Sequence, residues 1–264
     1  MNKENSSYHE SNENEIVFKG AQISRGPRKG ENWLLTQKDI KDGDEFYNQE
    51  KVSSSDDIEI FQKGIESILS RAEKFVKQKR LFKILLENNL DTPQNIIDNT
   101  DRLKDLFENS NYKPVYPKGA VNNIIGFSNW WRNSGLPREI IRAKERNDLK
   151  KGIEFRDRMA KLKSPDKAPG MGPKIASLFI SLCGFKKVVI IDQHMCYFLQ
   201  DNGHFPWPMP DRKGGYGGFY FSRYKKLEVI MSNMANECNL SPEIFQLSLW
   251  NKYREQNNKN KDKP

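Results

Sequence analysis

The sequence predicts an all-α protein, and three observations lead to that class. Apolar residues recur every three or four positions, as between Ile58 and Ala72, which is the spacing of an amphipathic helix. Signals that start helices precede several of these segments, for example Thr92-Pro93 and Ser241-Pro242. The run that most resembles a strand, Val188–Ile191, is short and lies between two predicted helices.

The predicted helices follow one another through the body of the chain. They cover residues 58–72, 81–87, 92–97, 103–107, 119–132, 137–161, a segment from 173, 193–199, 224–238 and 241–253. Residues 1–57 are rich in Asn, Ser, Glu and Asp, with a basic turn at Gly26–Gly30, and are expected to be an extension, partly disordered or docked. The aromatic-rich stretch 202–219 either packs on itself or lines a binding surface, and the polar tail 254–264 is expected to be disordered.

Composition excludes several classes of protein. The 264 residues are 36% hydrophobic, and no apolar run approaches the about 20 residues of a membrane span. The first residues show neither a secretory nor a transit pattern, so an intracellular protein without a membrane partner is expected. No two of the three cysteines are spaced as in a CxxC motif, since they stand at Cys183, Cys196 and Cys238. Neither a disulfide framework nor a metal or other cofactor is therefore predicted.

A glycine hairpin begins the segment that points to chemistry. Gly170-Met171-Gly172 directly precedes the helix predicted from Pro173. Backbone N–H groups at such a helix start can hold a phosphate oxygen, and glycine permits the close approach. The alternative is a purely structural turn.

Lys174 and Asp192 strengthen the functional interpretation. Lys174 lies one residue inside the helix, and Asp192 follows eighteen residues later, directly after Val188–Ile191. A neutral lysine amine is a nucleophile, and a carboxylate can stabilise positive charge that develops on a sugar ring. The alternatives are a phosphate contact for Lys174 and a helix cap for Asp192.

These residues together resemble a known superfamily. The segment Pro169–Lys174 is similar to the Pro-Gly-x-Gly-x-Lys hairpin of the helix-hairpin-helix DNA glycosylases, which include endonuclease III and the 8-oxoguanine DNA glycosylases. Ile191–His194 resembles the family's Val-Asp-x-His. The similarity covers about residues 58–253 and implies two helical lobes with a cleft between them. The first lobe, residues 58–188, would contain the helix-hairpin-helix motif, and residues 189–253 with part of the extension would form the second.

The resemblance also implies roles for the matching residues. Lys174 would attack the sugar C1′, displace a damaged base and form a Schiff base that undergoes β-elimination. Asp192 would stabilise the positive charge of the sugar and help to deprotonate the nucleophile. Gly170, Gly172 and His194 would contact the DNA backbone. Family members without the lysine use water and leave the strand intact, so Lys174 implies the bifunctional kind.

The carboxyl-terminal region narrows the subgroup. The cysteine cluster of endonuclease III is absent, and Ser241–Trp250 resembles the terminal helix of 8-oxoguanine glycosylases. Gln246 and Trp250 are four residues apart and share a helix face, where Trp250 would stack on a base and Gln246 would bond its edge. The alternatives are a core tryptophan and a solvated glutamine. Arg71 or a neighbouring residue is the candidate for the side chain that fills the space of a flipped base.

The sequence therefore predicts a bifunctional DNA glycosylase and AP lyase of base excision repair. Its partner would be double-stranded DNA with an oxidised base, foremost 8-oxoguanine, and a DNA-associated monomer without cofactor is expected. Two alternatives remain: a glycosylase of the same fold for another modified base, and a non-catalytic helix-hairpin-helix DNA-binding protein. The net charge is +9 for the whole chain and +10 for residues 58–250 alone, because the residues before and after them together carry −1. This distribution predicts salt-sensitive DNA binding through residues 58–250.

Overall fold

The computed structural model describes residues 12–25, 28–70, 75–109, 113–204 and 221–254. Within them, twelve α-helices and a two-stranded antiparallel sheet confirm the all-α class. The elements are β1 (Ile16–Gln22), β2 (Asn32–Thr36), α1 (Gln37–Glu50), α2 (Asp57–Leu69), α3 (Phe75–Glu87), α4 (Pro93–Asp98), α5 (Thr100–Glu108), α6 (Pro117–Asn133), α7 (Leu136–Glu145), α8 (Gly152–Ala160), α9 (Pro173–Leu182), α10 (Gln193–Asp201), α11 (Phe221–Glu237) and α12 (Pro242–Arg254). None of these helices has the length and apolar character needed to cross a membrane.

Side-chain caps explain where several helices begin. Thr36 forms a capping box with Asp39 at the start of α1. Asp56 accepts a hydrogen bond from the Glu59 N–H at 2.8 Å before α2, and Thr92 accepts one at 3.1 Å before α4. Each cap satisfies a backbone N–H that has no partner inside its helix, so these starting points follow from local sequence.

The amino-terminal region has more regular structure than the sequence predicts. In place of a loose extension, the described residues before α2 form the sheet and the 14-residue helix α1. Trp33 and Leu35 of β2 are 4% and 0% exposed, and they point to one face of the strand because side chains alternate. The surrounding segment has few residues that favour strands. Asn32–Thr36 forms a strand because one of its faces is buried and because it pairs with β1.

One predicted helix differs from the structure, whereas the strand-like run is consistent with the predicted all-α class. The helix predicted over 137–161 is two helices, because Asn147 adopts a left-handed φ of 54° and a 3₁₀ turn, Leu149–Lys151, follows before α8. The strand-like run Val188–Ile191 belongs to no sheet in the described structure. It is an extended connector whose backbone groups bond to side chains instead of a neighbouring strand.

Buried residues form two hydrophobic cores. The first includes Phe61, Phe127 and Phe179 of α2, α6 and α9. The second includes Trp33, Phe198 and Phe245 of β2, α10 and α12. Val188 belongs to the first core and Val189 to the second, so the chain passes from one core to the other within a single peptide unit, just before Asp192.

Candidate active site

The glycine hairpin packs tightly against helix α6. Gly170 has a φ of +75°, and a Cβ there would lie 2.9 Å from the Asn123 Cβ. A Cβ on Gly126 of α6 would likewise lie 2.9 Å from the Pro169 Cβ. Since both distances are below normal carbon contacts, the hairpin and α6 are held at a separation that excludes side chains at these two positions.

Three backbone N–H groups of the hairpin are available to a ligand. Among the described residues, the N–H groups of Gly170, Gly172 and Lys174 have no acceptor. Gly172 is the residue that precedes α9, and a Cβ on it would contact nothing within 4 Å. Unpaired N–H groups at a helix start form an anion-binding site.

A half-buried lysine contacts the other side of the hairpin. The Lys167 ammonium donates to the Ala168 carbonyl at 2.9 Å and also to the Met171 carbonyl. Burial lowers the pKa of Lys167 to about 8. The local sequence pattern does not predict this contact, because nothing in it indicates that the side chain folds back onto its own turn.

Paired alanine substitutions should separate the two roles of the hairpin. We expect Gly170→Ala to lower the free energy of unfolding by about 1–3 kcal/mol, because it combines a left-handed φ with overpacking against Asn123. Gly172→Ala should change stability by less than about 0.5 kcal/mol but weaken DNA binding, because it obstructs the anion site. Chemical denaturation and DNA titration measure the two effects, and equal stability of both variants would contradict this assignment.

Lys174 is the second residue of α9 and is half-buried. Among the described residues its ammonium has no hydrogen bond or ion pair. An amine in this position, beside the unpaired N–H groups of the hairpin, is accessible as a nucleophile.

Asp192 and His194 lie at the start of the next helix. Asp192 caps α10 by accepting a hydrogen bond from the Met195 N–H at 3.0 Å, and His194 is exposed on the first turn. The cap uses Asp192 Oδ1. A capping role is therefore present, and the carboxylate's second oxygen has no hydrogen bond to the described residues.

A single tyrosine hydroxyl connects the helix of Lys174 with the residue before Asp192. Tyr224 Oη lies 2.9 Å from Ser177 Oγ, which is three residues after Lys174, and 3.0 Å from the Ile191 N–H. It also lies 2.9 Å from the Val189 carbonyl. The phenol has one proton and this carbonyl can only accept, so the serine hydroxyl donates to Tyr224. Burial raises the pKa of Tyr224, which keeps that proton in place.

A buried ion pair completes this connection. Arg156 of α8 is 0% exposed, donates to Ser177 Oγ at 3.0 Å and binds both carboxylate oxygens of Glu228. Burial lowers the pKa of Arg156, but the hydrogen bonds and charge of Glu228 outweigh it and leave the pKa raised. Glu228 also accepts from the Val189 N–H at 3.4 Å. The network thus joins α8, α9, α11 and the connector that leads to Asp192.

Removal of one partner of this pair should strongly destabilise the protein. We expect Arg156→Met to lower the free energy of unfolding by about 3–5 kcal/mol, because it leaves the Glu228 carboxylate buried without a cation. The double variant Arg156→Met/Glu228→Met should recover most of that loss. Denaturant titration measures both, and a double variant no more stable than the single one would contradict the electrostatic explanation.

The predicted base-recognition residues occupy adjacent turns of α12. Gln246 is 2% exposed, and its Oε1 is buried without a hydrogen-bond partner; the alternative of a solvated glutamine is therefore wrong. Trp250 is half-buried and forms an aromatic triangle with Phe46 of α1 and Phe75 of α3, with ring centres 5.6–5.8 Å apart. An unpaired buried amide oxygen costs about 1–3 kcal/mol, so this oxygen is a candidate contact for a ligand.

Sequence reasoning missed Phe46, Phe75 and the Arg156 network. Arg156 lies on the buried face of α8 together with Gly152, Phe155 and Met159. A charged residue at a core position of the helix is the sequence feature that could have indicated this network. Phe46 and Phe75 carry no such signal, since their contacts come from distant segments. The wedge candidate Arg71 and the aromatic stretch beyond His204 lie outside the described residues.

Comparison with solved structures finds 8-oxoguanine DNA glycosylases. The 8-oxoguanine glycosylase/lyase of Methanocaldococcus jannaschii, in complex with a 15mer DNA containing 8-oxoguanine, is 19% identical, with a TM-score of 0.58 over 81% of this chain and 89% of that chain. The 8-oxoguanine DNA glycosylase of Thermotoga maritima is 17% identical, with a TM-score of 0.56 over 81% and 86% of the two chains. No protein-family model and no curated protein matches. At these identities the likeness concerns the fold, and it confirms the predicted architecture: this chain has the helix-hairpin-helix fold of the 8-oxoguanine DNA glycosylases.

Proposed function

We propose that this protein is a bifunctional DNA glycosylase and AP lyase that excises an oxidised base, foremost 8-oxoguanine, from double-stranded DNA. The observation that supports this most is the placement of Lys174 and Asp192. They start two consecutive helices, α9 and α10, and the Tyr224 hydroxyl ties Ser177 of α9 to Ile191, the residue before Asp192. A protein that only binds DNA needs the hairpin but has no use for this second position.

The proposed reaction uses these two side chains at one sugar. The neutral Lys174 amine attacks C1′ while the glycosidic bond breaks and the base leaves with its electron pair. The new C1′–Nζ ammonium gives a proton to the departing base, and the nitrogen lone pair then expels O4′ from C1′, so that the sugar ring opens, O4′ takes up a proton and a protonated imine forms. Loss of a C2′ proton then expels the 3′ phosphate, and this β-elimination breaks the strand on the 3′ side of the sugar. The Asp192 carboxylate stabilises the positive charge that develops on the sugar, and the free N–H groups of the hairpin bind a neighbouring phosphate.

The proposed base pocket lies beside α12. An extruded base would stack on Trp250, whose ring is held by Phe46 and Phe75, while the unpaired Gln246 amide would bond its edge. A glutamine side chain both donates and accepts, as the Watson–Crick edge of a purine requires. Binding of the base would then supply the partner that the buried Oε1 lacks in the free protein.

Borohydride trapping tests the proposed activity. The full-length protein is incubated with duplexes that contain 8-oxoguanine, an oxidised pyrimidine, an abasic site or no lesion, and sodium borohydride reduces any imine to a stable covalent adduct. We expect adducts with 8-oxoguanine and abasic duplexes. An adduct with another lesion but not with 8-oxoguanine would favour the same-fold alternative, and binding without any adduct would favour the non-catalytic one.

Pocket variants should affect base release and strand cleavage differently. We expect Gln246→Ala and Trp250→Ala to slow release of 8-oxoguanine by about 10–100-fold, since each removes about 1–3 kcal/mol of base binding. Cleavage at an abasic site should stay near the wild-type rate, because that substrate has no base to recognise, and so it controls for misfolding. Unchanged release of 8-oxoguanine in both variants would exclude the pocket.

A further inference from the structure

Residues on both sides of the β1–β2 connection contact helix α10, beyond the site described above. The Ser24 N–H donates to Asp201 Oδ2 at 3.2 Å, and the Trp33 indole N–H donates to the same oxygen at 2.9 Å. The Ala21 N–H bonds to Asn202 Oδ1 at 2.9 Å. These flanking residues are therefore anchored at the carboxyl end of α10, the helix that Asp192 caps.

Arg25 extends from this anchor back along α10. Its guanidinium carbon lies 4.3 Å from the centre of the Tyr197 ring, and its Nη2 donates to Gln200 Oε1 at 2.8 Å. The Tyr197 hydroxyl contacts the Gln193 amide of the first turn. Stacking and a hydrogen bond thus fix the position of an exposed guanidinium against Tyr197, the third residue after His194.

Arg25 forms no ion pair with the described part of the chain, and the Asp201 carboxylate bonds the N–H of the neighbouring Ser24 instead. The hydrogen bonds of Arg25 go to Gln200 and Ser24, which are uncharged, and no carboxylate of the described residues pairs with it. Arg28 of the same turn differs, since it binds Glu31 at 2.5 Å and lies over the Tyr253 ring. The accessible side of α10 over its first two turns, formed by Gln193, His194 and Tyr197, contains no acidic residue.

We propose that Arg25, His194 and Tyr197 form a turn-helix surface in which Arg25 binds a phosphate of the DNA strand that runs along α10. This inference rests on the proposed function and extends its DNA contacts to the amino-terminal hairpin. Residues three apart on a helix share one face and are separated by about 4.5 Å along its axis, and Arg25 stacks on Tyr197, the third residue after His194. A strand whose phosphate contacts His194 would therefore pass close to the Arg25 guanidinium.

The salt dependence of DNA binding tests this surface. Affinity of the full-length protein for an undamaged duplex is measured over a range of KCl concentrations. Each neutralised phosphate contributes about 0.9 to the slope of log K against log salt, so we expect Arg25→Gln to lower that slope by about 0.9 and the affinity at 0.1 M salt by roughly fivefold to tenfold. Arg25→Lys keeps the charge and should retain most of the slope.

A matched variant controls for loss of charge and for folding. Arg28→Gln removes one positive charge from the same turn, but that charge is already paired with Glu31, so its slope should equal the wild-type value. The contact can be located by replacing one phosphate at a time with an uncharged methylphosphonate and measuring DNA affinity. The replacement that weakens binding by the wild-type protein should have no effect on binding by Arg25→Gln. Equal slopes and equal methylphosphonate effects for wild type and Arg25→Gln would overturn the inference, while a wild-type protein that does not bind DNA would instead overturn the proposed function.

Discussion

Replacing Lys174 with glutamine is expected to abolish the borohydride adduct and to slow strand cleavage by more than about a thousandfold. The reason is that an amide cannot form an imine with C1′. The fold should remain intact, because the Lys174 ammonium has no partner among the described residues and glutamine is an adequate helix residue. DNA affinity should fall only by the contribution of one charge, so the loss should be specific to chemistry.

Lys163→Gln is the matched control for this prediction. Lys163 is exposed in the segment between α8 and α9, so its substitution removes the same charge without touching the proposed nucleophile. Lys167 is the rival amine, because burial lowers its pKa to about 8. Its ammonium, however, is bound to the Ala168 and Met171 carbonyls. An adduct that persists in Lys174→Gln and disappears in Lys167→Gln would transfer the role to Lys167.

Replacing Asp192 with asparagine is expected to lower base release by about 10²–10³-fold. The side chain caps α10 through Oδ1, and asparagine caps a helix as well as aspartate does. The substitution therefore removes the negative charge and keeps the cap. Single-turnover kinetics on an 8-oxoguanine duplex measure the effect on chemistry separately from binding.

Asp192→Ala separates the charge from the cap. It should slow base release to a similar extent and in addition lower the free energy of unfolding by about 1 kcal/mol, as denaturant titration can measure. If Asp192→Asn released the base at the wild-type rate and only Asp192→Ala were impaired, Asp192 would be a structural cap and another group would have to stabilise the charged sugar.

Sequence and structure contributed to the site in different ways. The hairpin glycines, Lys174 and the cap at Asp192 are local features, and each was identified because helix starts and tight turns depend on a few neighbouring residues. The burial of Gln246, in contrast, could not be predicted from its neighbours in the sequence. A glutamine on an amphipathic helix can face water or a core, and only the packing of α12 decides which.

The sequence by itself determined the helical class, most helix starts and the residue types of the hairpin, because periodicity and capping act over three or four residues. Only the tertiary structure decided what connects Lys174 to Asp192. Arg156 and Glu228 are 72 residues apart and Tyr224 is 47 residues from Ser177, so no local pattern links them. The same holds for the contacts of Arg25, which bonds to Gln200 of α10, 175 residues further along the chain. Contacts at such separations arise from burial and shape, and these belong to the folded chain as a whole.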